Sequence, residues 1–327
     1  MNSKMRSIRL LCAAALCWTA MQAPAGAQES YPSRPVKMIV PFGPGGPADL
    51  IARIVSQKLS DDLGKQFIVE NLPGANGNIG SGIALRAPAD GYTLFLNSQS
   101  IVVSRSLYKS VSYGPNDFVA ITRIASTPNV LIVHPSVPAK SVKELLELIR
   151  GNPDKYHAYA QPGYASPSHL AGELFRLSQR LTLNSVPFGG GGPMVLSVVA
   201  GHTPIGFTSI APAASHIRAG NLRAIAVTAE KRSDALPDVP TMAESGYPDQ
   251  VGDTPIGLFA QAKVPKEIVD LLQRRIAQLL GTPEIKQKLL AIGFSGVGDT
   301  PAEFAAYLRS EDEKWFRVIR EAGIKLD

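Results

Sequence analysis

Apolar positions recur along this chain at two spacings. Short β-branched runs at 36–40, 67–70, 93–97, 119–125 and 130–134 read as strands, while 48–63 and a segment ending near Arg86 carry apolar residues at helical spacing. The scheme then repeats: a helix at 141–150, a strand at 156–160, a helix at 167–179, and 181–186, 192–200, 203–208 and 211–219 in alternation. A strand at 222–227 precedes a Pro-rich surface stretch at 236–248, and the chain ends on a strand at 256–261 and helices at 266–280, 283–292 and 301–322. Strands alternating with helices predict an α/β fold with mainly parallel sheets. Ser141 with Glu144 three residues on predicts a capping box. The stretches 126–129 and 250–255 are candidate crossovers. With both, a discontinuous first lobe (28–128 and 253–327) receives an inserted second lobe (129–252), and two connecting segments make a hinge.

Two punctuation marks in this pattern are nearly the same. Val-Pro-Phe-Gly-x-Gly-Gly-Pro occurs at 40–47 and again at 186–193, each copy after a β-branched run and before a helical pattern. A strand turning through glycines into a helix exposes backbone N–H groups at the positive end of the macrodipole. That is an anion site built without a charged side chain. Gly-Pro clusters also simply punctuate β–α junctions. The near-identity of the copies favours two similar lobes that present helix N-termini to one ligand. Gly45, Gly46 and Ala48 are the candidate contacts of the first copy, and Phe42 and Phe188 occupy equivalent places as cleft walls or core residues.

The first 27 residues read as a secretory leader. Lys4, Arg6 and Arg9 form a basic start, 10–20 is apolar, and Ala25-Gly26-Ala27 is a cleavage site. The apolar run is too short to span a bilayer, and Leu16 before Cys17 argues against lipidation. The expected location is the periplasm. Both cysteines, Cys12 and Cys17, fall in the leader, so the remaining chain has neither a disulfide nor thiolate chemistry. The net charge of +6 also shrinks: three of 33 basic residues and no acidic ones leave with the leader, so 30 face 27 acidic residues. No Lys/Arg run marks a nucleic-acid partner.

Catalytic signatures are sparse. Gly43-x-Gly45-x-x-Ala48 after a strand, with Glu70 22 residues beyond, matches a dinucleotide fingerprint by spacing. Pro44 and Pro47 remove two donors from the loop that should hold the pyrophosphate. Glu70 also runs into a second glycine loop at 73–77, and an exported chain meets little nicotinamide cofactor. No serine sits in G-x-S-x-G, and the five histidines lack metal-ligand spacing. The chain therefore reads as a binding protein, not an enzyme, with no cofactor and no metal.

The loops do hold neutral donors. Around Gly163, Ser166 is a candidate N-cap, and Ser168 and His169 fall on the first turn of the following helix. Asn97 and Ser98 end one strand, and Thr208 and Ser209 another, at carboxyl edges where α/β sheets bind ligands. Asp49 lies in the first turn of the first helix, either as a favourable anion there or as a holder of bridging water. Together these favour a carboxylate held by amides, hydroxyls and water.

Several segments resemble the Bug family, the TctC-like extracytoplasmic receptors of tripartite tricarboxylate transporters. They are Tyr31-Pro32-Ser33-Arg34-Pro35, the loop 40–49, Glu70-Asn71-x-Pro73-Gly74-Ala75-x-Gly77-Asn78-Ile79-Gly80, Asp90-Gly91-Tyr92-Thr93-Leu94, the run 166–175, and 222–228 leading into 236–241. The resemblance covers essentially the whole chain after the leader. It implies a type II periplasmic-binding-protein fold, two α/β domains around a hinged cleft. It also implies a carboxylate ligand held by the loop at 42–49 and the helix start at 166–169, partly through water. Cargo would pass to a two-subunit membrane permease; a receptor signalling to a sensor is the alternative partner. A monomer is the expected state of a chain that opens and closes. Many family members carry an Asp where this chain has Thr208 and Ser209. That departure leaves the far end of the pocket less acidic, with room for a second ligand carboxylate, so a dicarboxylate is the expected cargo.

Overall fold

The computed structural model describes residues 31–114 and 116–326; the leader and its cleavage site lie outside them. Strands β1 (Val36–Val40), β2 (Phe67–Asn71) and β3 (Thr93–Ser98) alternate with helices α1 (Pro47–Leu63), α2 (Asn78–Leu85) and α3 (Ser100–Leu107). Strands β4 (Phe118–Thr127) and β5 (Asn129–Val133) follow with only Pro128 between them. Next come α4 (Val142–Gly151), β6 (Ala158–Gln161), α5 (Pro167–Ser178), β7 (Asn184–Pro187), α6 (Gly191–Val199), β8 (Ile205–Ser209), α7 (Ile210–Arg218) and β9 (Arg223–Val227). The chain finishes with β10 (Thr254–Gln261), α8 (Lys266–Leu280), α9 (Pro283–Ala291), β11 (Ser295–Gly296) and α10 (Pro301–Ala322).

The strands form two sheets, ordered β11-β4-β10-β3-β1-β2 and β7-β6-β8-β5-β9. Both are mixed, which corrects the expectation of mainly parallel sheets. β1 pairs parallel with β2 and β3, and β6 with β7 and β8, as β–α–β units require. β10 instead runs antiparallel to both β3 and β4, and β5 antiparallel to both β8 and β9. The reason is connectivity. β4 passes almost straight into β5 in the other sheet, and β10 returns after 228–253, so neither enters its sheet through a crossover helix.

The two crossing segments are tied together. Asn129 Nδ2 donates to Gly252 O at 2.6 Å, the Asn129 N–H donates to Thr228 Oγ1 at 2.9 Å, and Gly252 N–H donates to Thr228 O at 3.0 Å. Asn129 is fully buried and also accepts the Ser168 hydroxyl at 2.6 Å, so the network reaches the first turn of α5.

Apolar burial accounts for the rest. α4 buries Val142, Leu145, Leu146 and Ile149, an i, i+3, i+4, i+7 stripe, against the second sheet. α10 lays Phe304, Trp315, Val318 and Ile319 on the first. Gly257 in β10 makes room for Phe304: a Cβ there would lie 2.2 Å from Phe304 Cζ and 3.2 Å from Phe259 Cε2. Gly257→Ala is therefore expected to cost about 1–3 kcal/mol by overpacking. Urea unfolding reads this as a lower midpoint at unchanged slope; an unmoved midpoint would mean Phe304 yields freely.

Helix ends follow local chemistry. Ser141 Oγ accepts the Glu144 N–H at 3.2 Å, but the Glu144 carboxylate takes the N–H of Lys140, one residue before the cap, so the expected reciprocal box is only half made. The full box is at α10, where Thr300 and Glu303 exchange both bonds.

Candidate functional site

Two adjoining cavities lie between residues of the two sheets, of about 320 and 240 Å³, and share Phe42, Ser98, Ser166 and Pro167 as walls. The larger takes Gly46, Pro47 and Ala48 from the first sheet's side, Ser168, Ser209 and Ala211 from the second, and Thr127 from the crossing. The smaller adds Asn76, Gln99, Ser100, Gly163 and Tyr164. Among the described residues, no Arg, Lys, His, Asp or Glu lines either cavity.

What the cavities do have is helix starts. Gly46 caps α1 with Pro47 at its first position, Ser166 caps α5 with Pro167 there, and Ser209 caps α7 with Pro212 in its first turn. Proline suits these places because the first N–H groups of a helix have no intrahelical acceptor. The same geometry leaves Ala48, Ser168 and Ala211, which line the larger cavity, with N–H groups that have no i−4 carbonyl. α3 opens beside the smaller cavity at Gln99 and Ser100. Four macrodipoles thus point positive ends at one region, each equivalent to about half an elementary charge.

The first-copy loop is held from behind by Asp49, only 2% exposed. Its Oδ2 accepts the Gly45 N–H and the Arg53 Nε–H, both at 2.9 Å, and its Oδ1 accepts from Asn71 Nδ2 at 2.9 Å. Asn71 Nδ2 also donates to Phe42 O at 3.1 Å. Burial pushes the Asp49 carboxyl up, but the Arg53 guanidinium, the Gly45 N–H and the Asn71 amide outweigh it and hold the pKa below the ordinary carboxylate value. Asp49 faces the scaffold, not the cavities. Asp49→Ala strands three donors and is expected to cost about 1–3 kcal/mol of stability, measured by urea unfolding at neutral pH. The contribution is present above the unfolded carboxylate pKa and fades as pH falls through the lowered folded one. An Ala variant as stable as the parent would sink this role.

The α5 start is similarly latched. Ser166 Oγ accepts the His169 N–H at 3.2 Å, and His169 Nδ1 accepts the Ala165 N–H at 3.0 Å. Accepting there requires an unprotonated Nδ1. Burial lowers the His169 pKa, which keeps the ring neutral; Glu173 opposes this and Arg176 assists it. The ring packs on Tyr164, centroids 4.9 Å apart.

Phe42, Gly46, Ala48, Ser98, Gly163, Ser166, Ser168 and Ser209 thus meet at the cavity walls. Gly45, Asp49, Asn97, His169, Phe188 and Thr208 stand behind or away from them. Gly45 has its N–H committed to Asp49, and Asn97 Oδ1 accepts from Ser98 N–H and Ser100 Oγ, each at 2.7 Å. Phe188 is half-buried against a core cluster of the second sheet that includes Val130, Met194 and Val198. Thr208 is fully buried, its hydroxyl has no hydrogen-bond partner among the described residues, and a Cβ on Gly191 would sit 3.6 Å from it, so it faces the start of α6. The second motif copy therefore does not mirror the first. Its helix starts at Gly191, which puts Pro193 at the third position where Pro47 is at the first, and it lines neither cavity. The start of α5 stands there instead.

Asn76, Gln99, Ser100 and Tyr164 escaped the sequence reading. Gln99 and Ser100 open α3, whose Ile101-Val102-Val103 run is β-branched and hides the helix. Asn76 sits at φ 51° within Ala75–Gly77, a turn that only its flanking glycines announce.

The family model described as "Tripartite tricarboxylate transporter family receptor" matches residues 51–324. Protein BugT of Bordetella pertussis is 36% identical over 301 residues, 91% of this chain and 92% of that one. Among solved structures, Rpa4515 of R. palustris with adipate has a TM-score of 0.74 at 32% identity, covering 90% of this chain and 99% of that chain. MatC from Rhodopseudomonas palustris with bound malate has a TM-score of 0.70 at 26% identity, covering 88% of this chain and 100% of that chain. The two-sheet α/β architecture is that of these binding proteins.

Proposed function

The chain belongs to the tripartite tricarboxylate transporter receptor family, and from that premise we propose that it captures a small dicarboxylate in the periplasm and hands it to a membrane permease. The observation that carries this reading is a pair of cavities walled by helix N-termini and hydroxyls with no charged side chain. Such walls favour an anion through fixed dipoles and N–H groups, and they release it more readily than a guanidinium clamp would. The two sheets, joined by the crossings at Pro128 and 228–253, act as two lobes that close over the ligand. Water completes the shell where hydroxyls and N–H groups do not reach the carboxylate. Adipate on one neighbour and malate on another are both dicarboxylates, which supports this ligand class here.

Thermal shift of the purified protein against mono-, di- and tricarboxylates, their diamides, and NAD tests the reading. A ligand at 100 times its dissociation constant adds about 2.7 kcal/mol, a shift of about 5 °C for a chain of this size. Dicarboxylates should give it and the matching diamides should not. A shift with NAD alone, or with diamides as large as with diacids, would overturn the proposal.

A further inference from the structure

Gln99 is among the residues that line the smaller cavity, and anion binding alone does not use its side-chain amide. Gln99 is 2% exposed, and neither its Oε1 nor its Nε2 has a hydrogen-bond partner among the described residues. Buried amides are almost always hydrogen-bonded, because leaving both ends unmade forfeits the desolvation cost of each. The backbone of Gln99 is fixed: it caps α3, and its carbonyl accepts the N–H groups of Val102 at 3.1 Å and Val103 at 3.2 Å. Two residues back, Asn97 is 1% exposed, and its Nδ2 is also without a partner although its Oδ1 is doubly engaged. Behind both, the Tyr113 hydroxyl donates to Ser100 O at 3.3 Å and anchors the turn.

A bare carboxylate is an incomplete partner for this amide. It accepts from Nε2 but sets a negative oxygen against the lone pairs of Oε1. A hydroxyl adjacent to a carboxylate answers both atoms, donating to Oε1 while a carboxylate oxygen accepts from Nε2. Ser98, Ser100 and Ser166 cannot substitute as donors, since none of their hydroxyls reaches Gln99.

We infer that Gln99 is a specificity-determining residue that selects acids bearing a hydroxyl next to the carboxylate over the parent acids. This rests on the carboxylate reading of the cleft.

The test is calorimetric titration of the purified protein and of Gln99→Leu and Gln99→Met with a matched pair, malate and succinate, which differ by one hydroxyl. The protein should bind malate about ten- to a hundred-fold tighter than succinate, since a site built around a hydroxyl leaves polar groups unpaired when it is missing. Both variants, close to glutamine in volume, should lose most of that ratio. A cooperative melting transition close to the parent's shows that the variants are folded. If either variant fails to fold, the other and the ratio in the parent protein still decide. Equal binding of the two acids by the parent, or an undiminished ratio in a folded variant, overturns the role of Gln99 alone. No binding of either acid by the parent overturns this inference, and the carboxylate reading falls with it only if the thermal-shift series of mono-, di- and tricarboxylates is also silent.

Discussion

Ser166→Asp should leave the fold intact and weaken a dicarboxylate by about a hundred-fold. Ser166 caps α5 by accepting the His169 N–H, and Asp is an equally good cap whose charge suits a helix N-terminus. The melting temperature should therefore hold or rise slightly. Ser166 also walls both cavities, so the new carboxylate faces the ligand. Two like charges about 5 Å apart repel by about 3 kcal/mol at the effective dielectric of a partly buried site, which is about a hundred-fold in affinity. Calorimetric titration of Ser166→Asp and of the neutral cap Ser166→Asn with one diacid separates charge from shape. The Asp variant should lose about a hundred-fold in affinity and the Asn variant much less. Unchanged diacid affinity in a folded variant would mean that the ligand sits away from α5.

Asp253→Asn should stabilise the protein at pH 8 and do little at pH 4. Asp253 lies on the returning crossing, where Oδ2 accepts the Ser126 hydroxyl at 3.3 Å and Oδ1 has no partner among the described residues. Burial pushes its carboxyl up to about 7; the Ser126 hydroxyl opposes this, Glu311 adds to it, and Arg123 and Lys314 oppose it. The folded chain thus keeps a proton that the unfolded chain gives up near pH 4. The sign follows: stability falls as pH rises from about 4 to 7, and the full penalty applies above that. A shift from 3.8 to about 7 corresponds to about 4 kcal/mol, an upper bound for the gain in the Asn variant at pH 8. Urea unfolding of both proteins at pH 4.5, 6 and 8 should give curves that diverge with rising pH. Parallel curves would contradict the buried, protonated Asp253.

The legible parts of this molecule were those written in short-range chemistry. Pro47 after Gly46 and Pro167 after Ser166 mark helix starts that any chain would form there, and both lie at the cavities. Helices 266–280 and 301–322 have the bounds that their apolar spacing and flanking prolines imply. Sheet direction was not legible, because it depends on β4 running into β5 and on the path by which β10 returns, and neither leaves a local mark. The motif repeat overstated the symmetry of the site. Pro193 sits two positions deeper in its helix than Pro47 does, and the start of α6 lines neither cavity. Gln99 was hidden for another reason: a buried amide carries meaning only once its missing partners are known. Asp49 and His169 were legible as first-turn residues, but which way each faces is a matter of packing.

Backbone N–H groups and hydroxyls, with no side-chain charge, are proposed to hold the ligand carboxylate. A crystal structure of the protein with a bound four-carbon dicarboxylate decides this. A carboxylate is expected within about 2.7–3.2 Å of the N–H groups of Ala48 or Ser168, or of waters bridging to them, with no Arg or Lys in its shell. A ligand paired to a guanidinium, or seated in the apolar groove of about 600 Å³ beside Arg105 and Arg309, would contradict it.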